Sequence, residues 1–201
     1  MATDFGYVVS ERQWLSAFLI LMITLLILLV TVFSGRLGVQ IPAEFQVLAL
    51  VFVFSALFLG EVRDYYNRIW WWDIALHTTS GLLGGIFGFL LVYVLNESQR
   101  IALSMTPHFV AFFAFLFAVS IGALWEIFEF AMDSFFNMQM QKPMFDDPSG
   151  LTDTMWDMIV NTIGAFLISG LGWWYMRQER QSFIDMWIQK FIDRNPHWFH
   201  S

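Results

Sequence analysis

Residues 70–95 read WWWDIALHTTSGLLGGIFGFLLVYVL, an apolar run in which Asp73 is the only acidic residue. At about 1.5 Å of rise per residue, a helix of this length crosses the hydrocarbon core of a bilayer, which is roughly 30 Å thick. The tryptophans at its start are typical of the aromatic belt at a membrane interface. Close approach of a neighbouring helix is favoured by small residues, here glycines at positions 81, 84, 85 and 88. The stretch therefore predicts a transmembrane helix packed against other helices.

The rest of the chain repeats this apolar pattern. Hydrophobic residues make up 58% of the 201 residues and charged residues only 13%, whereas soluble domains average about 25% charged residues. The apolar residues form long runs instead of the periodic stripes of a soluble helix. The sequence thus predicts an all-α fold, a polytopic transmembrane helix bundle in one domain at residues 1–176. About five spans are expected, at residues 14–33, 43–59, 70–95, 109–130 and 157–175.

The C-terminal tail, residues 177–201, has a different pattern. Apolar residues such as Phe183, Trp187 and Phe191 are mixed at roughly helical spacing with charged residues such as Lys190. A helix with one apolar and one charged face is typical of segments that lie in the membrane interface. We therefore expect an amphipathic C-terminal helix on the membrane surface. Packing of that helix on the protein's own loops is the alternative.

Charge and cysteine content exclude several function classes. A formal net charge of −7 argues against nucleic-acid binding, and the lack of cysteine excludes disulfides, thiolate metal sites and cysteine nucleophiles. With five spans, six of the ten Lys and Arg residues fall on the side of the C-terminus and four on the side of the N-terminus. Because cytoplasmic loops are enriched in basic residues, this bias predicts a cytoplasmic C-terminus. The oligomeric state is left open.

Acidic side chains and one histidine recur at helical spacing where three predicted spans begin or end. These groups are Asp73 with His77, Glu126 with Glu129 and Asp133, and Asp153 with Asp157 and Asn161. Residues three, four or seven apart share one face of a helix, so each group presents its side chains together. Successive spans run in opposite directions, which puts the start of the third, the end of the fourth and the start of the fifth on one side of the membrane. The three groups are therefore expected to converge.

An ionised carboxylate inside a bilayer costs several kcal/mol unless it is paired, protonated or hydrated. Either shared protons or a bound cation can relieve the repulsion within such a group. Oxygen ligands with one imidazole suit a divalent ion such as Mg²⁺, Mn²⁺ or Zn²⁺. The predicted metal ligands are Asp73, His77, Glu126 and Asp157. A purely structural hydrogen-bonded network is the alternative.

The remaining acids of the group suggest chemistry beside such an ion. Glu129 and Asp153 are the candidate catalytic residues, either of which can act as a general base on water. The first hypothesis is a metal-dependent enzyme that acts on a membrane lipid or a lipid-linked substrate. A cation or proton pathway and a non-catalytic assembly module are the alternatives. The polar residues stop about midway through the spans, which favours a pocket open to one side over a pathway.

Four blocks of residues in order support a resemblance: Trp72-Asp73 with Leu76-His77 and Ser80-Gly81, Ala123-Leu124-Trp125-Glu126-Ile127-Phe128-Glu129, Asn137-Met138-Gln139, and Asp153-Thr154 with Asp157 and Gly164-Ala165. With these blocks, residues 60–175 resemble the YjdF-like family of bacterial inner-membrane proteins. The resemblance implies a multi-pass protein of the bacterial inner (plasma) membrane. It implies no activity, because the family has none established.

A more distant similarity is to VanZ-like membrane proteins. It rests on Asp73 four residues before His77, the later Glu126, and Asp157 four residues before Asn161. The similarity implies a shared polar site. The Gln that usually follows the VanZ glutamate has no clear counterpart here, so glycopeptide resistance is not carried over.

Overall fold

The computed structural model describes residues 42–97, 105–178 and 183–196, together with Ser10, Ala17, Phe18, Leu21, Thr24 and Gln40. The described chain is helical and contains no strand, which confirms the predicted all-α bundle. Its helices are α1 (Ala43–Val53) with a π-helical continuation (Phe54–Val62), α2 (Tyr65–Arg68), α3 (Trp72–Glu97), α4 (Pro107–Phe136), α5 (Leu151–Arg177) and α6 (Phe183–Arg194).

Four helices of the described chain are long and apolar enough to cross a membrane. They cover Ala43–Glu61, Trp72–Tyr93, Pro107–Phe136 and Leu151–Arg177. Of the predicted span at residues 14–33 the structure describes only Ala17, Phe18, Leu21 and Thr24, which are helical, so the span as a whole stays a prediction. The other four predicted spans are matched by these helices, which confirms a multi-pass membrane protein.

Two of these helices are longer than the predicted spans. α4 continues six residues beyond residue 130, to Phe136, and α5 starts six residues before Asp157, at Leu151. Hydropathy marks where the apolar run ends, but backbone hydrogen bonds continue until the chain conformation changes. That change occurs at Asn137 (φ 54°) and at Gly150 (φ 78°), both in the left-handed region. The acidic groups therefore lie inside regular helix and not in flanking loops.

Small residues bring α3, α4 and α5 into close contact. A β-carbon at Gly81 would collide with the carbonyl oxygen of Asn161, and one at Gly88 would stand 2.7 Å from the α-carbon of Ala114. The predicted role of the α3 glycines in close packing is confirmed. Gly164 of α5 makes the reciprocal approach, since a β-carbon there would collide with the carbonyl oxygen of Thr78. Without side chains at these points the helix backbones can touch.

The amphipathic C-terminal helix α6 packs on the end of the bundle. Ile188, Phe191 and Ile192 are buried in a hydrophobic cluster with Phe45 of α1 and residues of α3, α4 and α5. Asn195, which follows α6 and is fully buried, accepts a hydrogen bond from the Gln40 backbone N–H and donates one to its carbonyl oxygen. The apolar face of α6 is therefore covered by protein, but by helices of the bundle and not by the loops that the alternative for the tail named.

At the other end of the bundle, residues 137–150 form a strap that folds back over the ends of α4 and α5. Asp133 of α4 accepts the backbone N–H groups of Met140 (2.6 Å) and Gln141 (2.9 Å). Asp153 of α5 accepts the N–H of Lys142 at 2.7 Å. Backbone conformations with positive φ at Asn137, Gln139, Phe145 and Asp146 bend the strap. Two helix carboxylates thus fix the position of Lys142.

Candidate functional site

His77 lies at the point where α3, α4 and α5 meet. Its imidazole is within 4.0 Å of one carboxylate from each helix: Asp73 of α3, Glu126 of α4 and Asp157 of α5. The three groups of polar residues found in the sequence therefore converge as expected. Close packing at Gly81 and Gly164 brings α3 and α5 near enough for a histidine of one helix to reach an aspartate of the other.

One ring nitrogen of His77 faces two aspartates. Nε2 is 3.4 Å from Oδ1 of Asp73 and 3.7 Å from Oδ2 of Asp157. One ligand atom from each of these three residues lies within 4.8 Å of the other two. Metal–ligand bonds of about 2.1 Å separate adjacent ligand atoms by roughly 3.0 Å in octahedral and 3.4 Å in tetrahedral geometry. The Asp73–His77–Asp157 group therefore has dimensions that can hold a small divalent cation.

Glu126, which the sequence suggested as a fourth ligand, lies at the other ring nitrogen. Its Oε1 is 3.5 Å from Nδ1 of His77. Ligating histidines usually donate their second N–H group to a carboxylate, which fixes the tautomer and the orientation of the ring. This placement suits Glu126 for orienting His77 better than for sharing the ion with Nε2. Side-chain spacing along α4 could not show which nitrogen Glu126 would face.

Two carboxylates beside His77, those of Asp157 and Glu126, are deeply buried and lack hydrogen-bond partners. Asp157 is 1% exposed and Glu126 is 4% exposed, and neither carboxylate forms a hydrogen bond at either oxygen. Within the described residues, no Lys or Arg forms an ion pair with them or with Asp73. Buried polar groups are normally hydrogen-bonded, and buried charges are paired or bind metal. The orphaned oxygens of Asp157 therefore fit a cation beside His77.

The two candidate bases have different surroundings. Glu129 lines a cavity of about 510 Å³ together with Asp73 and His77, and its Oε1 accepts a hydrogen bond of 2.8 Å from Trp125 Nε1. Asp153 is 2% exposed, does not line that cavity, and accepts the Lys142 N–H of the strap. Glu129 thus faces the cavity, whereas Asp153 holds the strap.

Sequence reasoning assigned no role to Lys142 or to Tyr66 of α2, which also line the cavity. Lys142 Nζ is 3.6 Å from Oε1 of Glu61 and 5.4 Å from the centroid of the Tyr66 ring. Lys142 comes from the strap, whereas Glu61 and Tyr66 come from the π-helical segment and α2, which are far from it in the sequence. The one available signal was that Lys142 is the only basic residue between α4 and α5.

Comparison with known proteins gives a family but no activity. The family described as "Predicted membrane protein (DUF2238)" matches residues 3–178. An uncharacterized protein of Thermotoga maritima is 28% identical over 130 residues, which cover 65% of this chain and 62% of that relative. No solved structure matches the chain. The YjdF-like resemblance agrees with these matches, and the VanZ-like one stays a prediction.

The family match covers most of the chain, including the helices that carry Asp73, His77, Glu126 and Asp157. The chain therefore belongs to the DUF2238 family of predicted membrane proteins.

Proposed function

We propose that the protein is a metal-dependent enzyme of the bacterial plasma membrane that acts on a lipid or lipid-linked substrate. The observation that carries this proposal is the Asp73–His77–Asp157 group, whose ligand atoms lie within 4.8 Å of one another. Two of these residues, Asp73 and His77, also line the cavity. A catalytic metal site keeps a position open to substrate, whereas a structural site is closed by protein ligands.

The side chains around this group have separate tasks in the proposal. Asp73, His77 and Asp157 hold a divalent cation, which supplies a Lewis acid for a carbonyl or phosphoryl oxygen. Glu126 orients the His77 ring. Glu129 accepts a proton from a water molecule that attacks the substrate, since its carboxylate lines the cavity. Asp153 keeps the strap in place.

The proposal is tested by thermal unfolding of the purified, chelator-treated protein in a neutral detergent. Mg²⁺, Mn²⁺, Zn²⁺ or Ca²⁺ should raise the melting temperature. A ligand at 100 times its dissociation constant stabilises a protein by roughly 2.7 kcal/mol. Asp157→Asn should abolish the metal response and should raise the stability of the metal-free protein, because it removes one negative charge from the group.

Glu44→Gln is the matched control, because Glu44 pairs with Lys190 at the other end of the bundle. It should keep the full metal response. If no divalent ion stabilises the wild-type protein and none co-purifies with it, the carboxylates share protons and the enzyme proposal fails. A structural network would show no metal response and a lower stability in Asp157→Asn.

A further inference from the structure

The cavity has one apolar wall and one polar wall. Phe52 of α1, Ala56 and Leu57 of the π-helical segment, and Ile121 and Leu124 of α4 line the apolar wall. Ile121 is 45% exposed and Leu124 is 61% exposed, so this wall is continuous with the exposed apolar surface of α4. A volume of about 510 Å³ is within the usual range for ligand pockets, about 300–1,000 Å³. A hydrocarbon chain fits such a wall.

The polar wall combines Asp73 and His77 of the candidate cation group with a lysine and with two further carboxylates, those of Glu61 and Glu129. Asp73 and His77 line it from α3, and Lys142 lines it from the strap. Lys142 Nζ donates a hydrogen bond of 3.1 Å to the Gln139 carbonyl, while its nearest carboxylate oxygen, on Glu61, is 3.6 Å away. An ammonium group has three N–H donors. At least one donor is therefore available to a ligand.

We infer that the cavity binds a lipid whose head group is a phosphate, with the chain along the apolar wall and the phosphate on Lys142. The inference rests on the proposed function, because it assigns a substrate class to the same site. Hard divalent cations are commonly held by one or two carboxylates together with substrate phosphates. A phosphate has enough oxygens to meet both Lys142 and a divalent cation held at Asp73 and His77, and such a cation would offset the carboxylates of Glu61 and Glu129 in the same wall.

Tyr66 completes the polar wall without adding charge. Burial and the nearby carboxylates of Asp73 and Glu61 raise the pKa of the Tyr66 phenol above its usual value, so it stays protonated. Gly60 allows the Tyr66 ring to lie against the π-helical segment, since a β-carbon there would collide with the ring. The ring in turn lies beneath the Lys142 ammonium. The lysine is thus held by its strap backbone, by Gln139 and by an aromatic face.

The test uses dodecyl phosphate as the probe, added with Mg²⁺ or Mn²⁺ to the protein in dodecyl maltoside, and follows the melting temperature. Dodecyl phosphate should raise it, and Lys142→Gln should weaken the apparent affinity at least tenfold. Lys142→Arg should retain most of the affinity. Lys190→Gln, which removes a lysine paired with Glu44 at the other end, should bind like the wild type.

Three further measurements test whether the ligand is a lipid phosphate or free phosphate, which head-group charge the cavity prefers, and whether the apolar wall holds the chain. Inorganic phosphate alone should give no comparable shift; an equal shift would show a free-phosphate site and overturn the lipid assignment. Dodecyltrimethylammonium should not raise the melting temperature. A larger rise than dodecyl phosphate gives would show that the cavity prefers a cationic head group and would overturn the inference. Ala56→Phe, which fills the apolar wall, should lose the dodecyl phosphate shift and keep the metal shift.

The inference and the proposed function fail in different ways. If Lys142→Gln binds dodecyl phosphate as the wild type does, the lysine does not hold the head group and the inference is wrong, whatever the metal does. If metal ions alone have no effect on the wild type, the proposed function is wrong. Retention of the metal shift in Lys142→Gln shows that this variant is folded.

Discussion

Asp157 is almost inaccessible to solvent, yet neither of its oxygens has a hydrogen-bond partner. This is the strongest argument for a ligand at the site, because burying a carboxylate whose oxygens make no hydrogen bond costs several kcal/mol, and His77 Nε2, 3.7 Å away, is too distant to make one. His77 divides the surrounding carboxylates between its two nitrogens, with Asp73 and Asp157 at Nε2 and Glu126 at Nδ1. This division assigns different roles to residues of the same type.

Variants of Glu126 can distinguish orientation of His77 from direct metal binding. Loss of an orienting carboxylate typically lowers metal affinity by about 10–100-fold, and we expect this from Glu126→Ala. Glu126→Gln should lower the metal affinity by less than about tenfold, because the amide oxygen can still accept a hydrogen bond from the Nδ1–H group of His77. Titration calorimetry with Mn²⁺ or Zn²⁺ measures both. If Glu126→Gln abolishes binding as Asp157→Asn does, Glu126 is a ligand, as the sequence suggested.

Asp147 of the strap stabilises the folded protein in a pH-dependent way. The Ser149 hydroxyl and N–H, and then those of Thr152, donate to its carboxylate and hold its pKa well below the usual value. A carboxyl group whose pKa is lowered in the folded state stabilises the folded protein at pH values above its unfolded-state pKa of about 3.9. This stabilisation is lost as the pH falls through the folded-state pKa. Hydrogen exchange at Ser149 and Thr152, corrected for intrinsic rate, should be slower in the wild type than in Asp147→Asn at pH 7.

This difference should disappear in acid, once Asp147 is protonated in the wild type. Asp146→Asn, a change at the exposed neighbouring residue, should exchange like the wild type at both pH values. Equal exchange in wild type and Asp147→Asn at pH 7 would contradict the assigned role.

At the scale of elements, the contact between α3 and α5 determines whether the site forms. Gly81 and Gly164 let the two backbones approach, and His77 reaches Asp157 across the same contact. The strap and the π-helical segment then contribute the remaining cavity walls. π-helical turns often occur at functional sites, and here one lines the candidate pocket.

Gly164 and Gly170 of α5 offer a matched pair of variants. Gly164→Ala places a methyl group against the backbone of Thr78 and Leu82, and we expect it to destabilise the protein by about 1–3 kcal/mol. A β-carbon at Gly170 meets nothing within 4 Å, so Gly170→Ala should be neutral or stabilise by up to about 1 kcal/mol. Chemical unfolding in detergent measures both. Equal effects would show that α3 and α5 do not pack as described.

At the scale of the whole molecule, the two ends of the bundle differ, and α5 runs from one to the other. The strap, the candidate metal group and the cavity's polar wall lie where α5 begins, whereas the cluster of Phe45, Ile188 and Ile192 lies where it ends. Beyond Asn161, the described contacts between α3, α4 and α5 are mostly apolar and include Gly85 with Ile168 and Gly172 with Phe89, and Ser169 adds a buried hydroxyl but no charge. That arrangement suits a pocket better than a pathway across the membrane.

Cysteine labelling of this naturally cysteine-free chain tests the predicted orientation. Asp146→Cys in the strap should react with an impermeant maleimide added outside spheroplasts. Gln189→Cys in α6 should react only after the membrane is permeabilised. The opposite pattern would reverse the predicted orientation. Reaction of both from one side would contradict the bundle, because α5 runs between the two positions.

The sequence by itself determined the class of fold, the approximate spans and the convergence of the acidic groups. Hydropathy and helical periodicity are local properties, and antiparallel order follows from successive crossings of a membrane. The glycine positions in α3 likewise indicated a packing face, which the contacts of Gly81 and Gly88 confirm.

Only the tertiary structure decided how the polar groups divide their tasks. The rotation of each helix about its axis determines which nitrogen of His77 faces Glu126 and whether Glu129 or Asp153 lines the cavity. The fold of the strap determines where Lys142 lies. The apolar face of α6 also looks suited to a membrane surface from its sequence alone. In the fold it is buried in a cluster with Phe45 and residues of α3, α4 and α5, and Asn195 also joins the tail to Gln40 ahead of α1. Such contacts join residues distant in the chain, so local sequence spacing carries no record of them.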